Sequence, residues 1–200
     1  HATVPEAQWR SSRTDSPLAQ PATNVLQVPV DFCAINTKAM FRPANLFLSL
    51  AILSYIIVIG GATYEHLAVV PQWAAAPPTS LAMFQGTFGL MAHHFWIPIH
   101  PVTLLLMAAA LATNWRSPRR KTIGLSIAGY VLVLVITFAH FVPELIAITT
   151  TPYAESVDAG LQARASRWEA LSLVRLAFLM VVAIVFLSAL ILPVERKEMR

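Results

Sequence analysis

The sequence predicts an all-α fold: a four-transmembrane-helix antiparallel bundle with an extramembrane outer loop. Three observations predict it. The chain is 56% hydrophobic and only 12% charged, with a mean hydropathy of +0.62, and a soluble domain of this size has too little interior to hide so much apolar surface. The apolar residues fall into long runs, each close to the roughly 20 residues that span a hydrocarbon core of about 30 Å. The few ionisable residues inside those runs gather at one end of each.

The first span covers about residues 45–65, within a stretch from Pro43 to Tyr64 that carries no charge. The second covers about 92–113; His93, His94, Pro98, His100 and Pro101 punctuate its start, but Val102 to Thr113 is strongly apolar. The third, about 122–146, holds His140 as its one ionisable group before Pro143. The fourth, about 171–193, is uncharged from Leu176 to Val194. The spans must be helices, because a helix satisfies its own backbone hydrogen bonds in lipid and an open strand does not. The alternating segments of a membrane barrel are absent. Short connections make sequential helices antiparallel neighbours. Gly60, Gly61 and Ala62, Ala108 to Ala110, and Gly124, Ala128 and Gly129 suit close helix contact.

Lysine and arginine counts set the expected orientation. Arg116, Arg119, Arg120 and Lys121 lie between spans two and three, Arg196, Lys197 and Arg200 end the tail, and Arg42 precedes span one. The opposite side balances Arg164 and Arg167 against Glu155, Asp158 and Glu169. By the positive-inside rule both termini are cytoplasmic in a cell membrane, and the loops at about 67–91 and 149–169 face outward. Trp73, Trp96 and Trp168 then lie near the outer interface and Trp115 near the inner one. The net charge of +4 is accounted for by topology and calls for no nucleic-acid partner. The expected partners are the lipid bilayer and a small hydrophobic ligand; oligomeric state is not encoded in any readable pattern.

Residues 1–39 read as a separate, disordered extension, polar and proline-bearing, without the apolar core of a signal peptide. Met40, directly before Phe41-Arg42-Pro43, is the expected natural start of a four-helix membrane domain over 40–200. Cys33 is the single cysteine, so no disulfide within the chain can form.

Ionisable groups at membrane depth are costly and are normally paired, hydrated or functional. His140 and Glu144 are four apart on one helix face, a spacing that permits a hydrogen bond or two ligands to one metal. Pro143 between them frees the carbonyl of Ala139 and loosens the helix. Arg175 lies a few turns into span four, with Glu144 or Glu65 as the expected ion-pair partner. These three, His140, Glu144 and Arg175, are the candidate catalytic residues. Tyr64, Glu65, Trp96 and Trp168 are candidate substrate contacts. His66, His93 and His100 are candidate metal ligands. The chain lacks the Glu-x-x-His pair of bundle di-iron sites, His-Glu-x-x-His, and Cys-x-x-Cys-His. The cofactor expectation therefore stays open between none, a metal ion, and a haem held by two histidines such as His66 or His100 with His140. The segment from Pro71 to Gly86 is too apolar for an ordinary exposed loop and is expected to lid the polar ends of the bundle.

Tyr64-Glu65-His66 with Pro71-x-Trp73, Phe95-Trp96-x-Pro98, Phe141-Val142-Pro143-Glu144, and Arg167-Trp168 followed by Arg175 resemble the anthrone-oxygenase-like family of small four-helix integral membrane proteins. The resemblance spans about Leu46 to Leu192. It implies a membrane bundle and, from the family's few characterised members, oxygenation of an anthrone to a quinone without an added cofactor. It assigns no catalytic role to Glu65, His66, His93 or His94.

Two functional classes follow. In one, the protein is an oxidoreductase or oxygenase acting on a small hydrophobic aromatic or quinone-like molecule. His140, held by Glu144, is then the general base, and Arg175 with Trp168 holds the resulting anion. In the other, it is a non-enzymatic membrane protein, lipid-binding or an accessory subunit, whose polar residues only lock the bundle.

Overall fold

A computed structural model describes residues 42–194. The expected extension over 1–39 and the basic tail lie outside the described residues. Four helices long and apolar enough to cross a membrane account for most of the rest: α1 (Pro43–Ala74), α2 (His93–Thr113), α3 (Arg119–Thr149) and α4 (Ala159–Ile191). The protein is a multi-pass integral membrane protein built as an all-α bundle.

Side-chain pairs give the antiparallel register directly. Between α1 and α2, Asn114 Nδ2 donates to Ala44 O, Ser54 meets Thr103, and Trp96 donates to Glu65. Between α3 and α4, Arg119 reaches Leu192, Arg175 reaches Thr137, and Arg164 reaches Glu144. The packing closes a ring in which α1 contacts both α2 and α4, and α3 contacts both α2 and α4.

A central core fills this ring, with Leu48, Tyr55, Met107, Ile123, Tyr130 and Phe186 among its members. The opposite faces of the same helices expose Leu53, Ile57, Leu105, Leu125, Val135 and Ile184. That pattern would be an aggregation liability in water and is the ordinary boundary of a protein with lipid. Small residues work selectively. A Cβ on Gly61 would lie 2.6 Å from the Phe95 ring, and one on Gly129 would lie 2.9 Å from Val182 Cγ2. Gly60 and Gly124 meet nothing within 4 Å, and Ala108 and Ala128 are exposed, so only part of the anticipated small-residue contact forms.

The helices outrun the expected spans. α1 does not stop at residue 65: it passes through a π turn over Glu65–Val69 and resumes over Val70–Ala74. α3 does the same, with a π turn over Thr137–Phe141 and a last segment over Val142–Thr149. The cause is shared. Each turn ends at a Val-Pro pair, and the valine N–H bonds five residues back, Val70 to Glu65 O and Val142 to Thr137 O. Pro71 and Pro143 lack the N–H that an uninterrupted α-helix would use, and the extra residue of a π turn makes room for the ring. α4 begins at Ala159, capped by Asp158 Oδ1, which accepts from Gly160 N at 2.8 Å and Leu161 N at 3.0 Å. The two expected outer loops are therefore shorter than the apolar runs suggested.

The lid anticipated from the apolar loop is present as packed structure. Val70, Trp73 and Leu81, the last on a 3₁₀ turn over Thr79–Phe84, form a second core with Phe141, Leu161 and Trp168. We call this the capped end. At the other, basic end, Arg119 donates to the carbonyls of Leu192 (2.8 Å) and Leu190 (3.4 Å) and to Asn45 Oδ1 (2.7 Å), tying down the last turn of α4.

Candidate functional site

The two π turns face the same layer of the bundle, just below the cap, and that layer holds its polar groups. Arg175 on α4 is the centre. Its Nη1 donates to Thr137 Oγ1 at 3.1 Å and its Nη2 to Ser172 Oγ at 2.8 Å. Its Cζ stands 4.3 Å from the centroid of the Phe141 ring, a cation–π contact. Thr137 and Phe141 are the first and last residues of the π turn in α3, so the turn made necessary by Pro143 shapes the guanidinium's seat.

The expected ion pair of Arg175 with Glu144 or Glu65 does not form. Glu144 is instead held by Arg164, with Nε to Oε1 at 2.9 Å and Nη2 to Oε2 at 3.1 Å. The last α-helical segment of α3 carries Glu144 out toward the first turns of α4, where Arg164 lies. His140 makes no hydrogen bond to Glu144; its ring is exposed and lies edge-on to Phe141. Glu65 Oε1 accepts the indole N–H of Trp96 at 2.7 Å.

His140 and Arg175 nonetheless open on one space. A groove of about 370 Å³ runs between α3 and α4, lined by Leu132, Ile136, Phe141, Val174 and Phe178 as well as by those two residues. Most of the lining side chains are exposed on the bundle surface, so the groove faces the lipid. The wall is almost wholly apolar, with the Arg175 guanidinium held at its edge by Thr137 and Ser172, which suits a flat or chain-like molecule carrying one acidic oxygen.

The remaining candidates are spread out. Trp168 is in the cap core rather than the groove; its Nε1 donates to Phe141 O at 2.9 Å, and its ring lies 5.5 Å from that of Trp73. Tyr64 is 65% exposed on the outside of α1. The three proposed metal ligands do not converge. His66 is buried, its Nδ1 donating to Ala62 O at 2.8 Å and its ring parallel to Trp168. His93 packs on His94 with ring centroids 4.4 Å apart. His100 Nδ1 is 2.7 Å from Tyr130 Oη, and its ring stacks on Trp96. Among the described residues, no three His, Cys, Asp or Glu side chains are grouped to hold a metal ion. The reason is position: His93 and His100 share a face of α2 but stand seven residues, about 10 Å, apart along it, His66 is on α1, and each bonds or packs locally.

No protein-family model, characterised protein or solved structure matches this chain. The site must be read from its own geometry.

Thr137, Ser172, Phe141 and Tyr130 are the members that sequence reasoning missed. Ser172 had a signal, lying three residues before Arg175 on the same helix face. Tyr130 and Thr137 are seven apart on α3 and share a face, but their partners stand on other helices. The Glu144–Arg164 pair has its own test. Glu144→Gln, at a pair with 31% and 47% exposed side chains, is expected to change stability by less than about 1 kcal/mol. Thermal unfolding in detergent micelles reads this, and a much larger loss would mean that the pair is a structural anchor of the capped end.

Proposed function

We propose that this integral membrane protein takes up a small, flat, weakly acidic molecule from the lipid into the α3–α4 groove and oxidises it. The reading places it in a cell membrane with both termini cytoplasmic and the capped end outward. One observation carries it: His140 and Arg175 both border the same lipid-facing apolar groove. A molecule whose acidic CH₂ lies across a ring from a carbonyl conjugated with it, as in an anthrone, fits both its shape and its charge. His140 takes a proton from that carbon, and Arg175 holds the resulting enolate oxygen. Dioxygen is the oxidant, so the methylene becomes a carbonyl and one water is released for each dioxygen consumed. The resemblance noted in the sequence supports the same substrate class.

The mutual satisfaction of Glu65 with Trp96 and of Glu144 with Arg164 favours a second reading, in which the protein binds such a molecule without converting it. Dioxygen uptake and quinone absorbance with a dihydroxyanthrone, in nanodiscs, decide between them. Wild-type protein is expected to exceed the protein-free rate, and His140→Gln to lose about a hundredfold, as expected for removal of a positioned base. Binding with no acceleration by the wild type would sink the catalytic reading and leave the second.

A further inference from the structure

A second set of side chains, on α1, α2 and α3, is independent of the groove. Trp96, His100, Tyr130 and Tyr55 form a continuous aromatic file. Ring centroids are 5.4 Å apart for Trp96 and His100, which are stacked within 20°. They are 6.0 Å apart for His100 and Tyr130, and 5.0 Å for Tyr130 and Tyr55. The file starts at the half-buried Trp96 and His100 of α2 and ends on Tyr130 and Tyr55, which are 0% and 1% exposed.

Two of the three oxidisable residues in the file, Trp96 and Tyr130, each carry a hydrogen-bonded proton acceptor. The Trp96 indole N–H donates to Glu65 Oε1 at 2.7 Å. Tyr130 Oη lies 2.7 Å from His100 Nδ1, a ring nitrogen that accepts when the other nitrogen carries the hydrogen. A neutral tyrosine or tryptophan in an apolar core is hard to oxidise alone, because the cation left behind is unsolvated. A base already in hydrogen-bond contact removes that barrier, since the proton leaves with the electron. Packing alone would not require both pairs to have this form.

We infer that Trp96–Glu65 and Tyr130–His100 are paired redox centres that hold a one-electron oxidation within the bundle. In the step at Tyr130, the Oη–H bond breaks, the electron passes through His100 and Trp96 to a one-electron oxidant in the bilayer, and the proton moves to His100 Nδ1. A lipid peroxyl radical is the chemical class of oxidant that such a site meets; it gains the electron and then a proton from interfacial water to become a hydroperoxide. The neutral phenoxyl and the imidazolium remain. A quinol returns an electron and becomes a semiquinone, its own proton neutralising the hydroxide left in the interfacial water, and the proton on His100 goes back to Tyr130.

The test uses detergent-solubilised full-length protein and flash-generated tris-bipyridine ruthenium(III) as oxidant, followed by transient absorption and electron paramagnetic resonance. Wild type is expected to give a long-lived tyrosyl signal that forms more slowly in deuterated water. Tyr130→Phe keeps the ring and the fold, and is expected to replace that signal with an indolyl one from Trp96. His100→Gln keeps an acceptor but not a base, and is expected to slow tyrosyl formation about a hundredfold, the lower range for a positioned base. An unchanged tyrosyl signal in Tyr130→Phe, which would then arise from Tyr55, Tyr64 or Tyr153, would overturn the inference. So would formation in wild type with no deuterium effect. Neither result bears on the groove, because His140 and Arg175 are untouched in both variants.

Discussion

Arg175→Ala is expected to weaken binding of an acidic, lipid-soluble ligand by about 30-fold to nearly a thousandfold, the equivalent of about 2–4 kcal/mol for removing one side of a desolvated charge pair. The same change is expected to leave the fold almost as stable as before. An intramembrane cation is costly to hold, and Arg175 meets that cost with two hydroxyls and one aromatic face rather than with an ion pair. When the guanidinium goes, Thr137 Oγ1 still donates to Val133 O at 2.7 Å, so no hydroxyl on α3 is stranded. Arg175→Lys is expected to recover little of the affinity. A lysine ammonium cannot span Thr137 and Ser172 while lying flat over Phe141. Quenching of tryptophan fluorescence by a dihydroxyanthrone in nanodiscs, beside thermal unfolding of each variant, measures both arms. Unchanged affinity in Arg175→Ala would remove the groove from consideration as the binding site. A loss of stability as large as the loss of binding would make Arg175 a structural residue.

Trp168→Ala is expected to cost about 3–5 kcal/mol, the range for truncating a large buried aromatic side chain, and to free the cap while the bundle stays helical. Trp168 is the point where the cap meets the membrane helices. Its ring contacts Trp73 at 5.5 Å, Phe141 at 6.0 Å and His66 at 6.5 Å, all from other elements. Its Nε1 satisfies the carbonyl of Phe141, at the end of the π turn. Trp168→Phe keeps most of the apolar contact but leaves that carbonyl without its indole donor, and is expected to cost about 1–3 kcal/mol. Limited proteolysis across residues 75–92 reports on the cap, and circular dichroism on the helices. If the segment stays resistant in Trp168→Ala and the unfolding midpoint does not move, the cap is held elsewhere.

Those residues also show how far the arrangement is legible in the sequence. Arg175 and His140 were singled out because a charge or an imidazole stands out against an apolar run, and both line the groove. Glu144 stands out for the same reason, yet its partner is Arg164, because Glu144 lies seven residues, about 10 Å, beyond Thr137, the α3 residue that meets Arg175. Pro143 was read as loosening α3, and the π turn over Thr137–Phe141 is the form that loosening takes. The equivalent effect of Pro71 was missed, and with it the continuation of α1 to Ala74. His66, His93 and His100 looked alike as a list and differ in place: one is buried against Trp168, one packs on its neighbour, one bonds Tyr130.

The sequence by itself determined the membrane class, the four helices and the end of the bundle where polar groups collect. Those properties depend on hydrophobic run length and on position along the chain, which a one-dimensional string records. The tertiary structure alone decided which polar groups meet. Pairing depends on how each helix is rotated and where its register falls against its neighbours, which hydrophobic run length does not record. Hence Arg175 rests on Thr137 and Ser172, Glu65 on Trp96, and His100 on Tyr130.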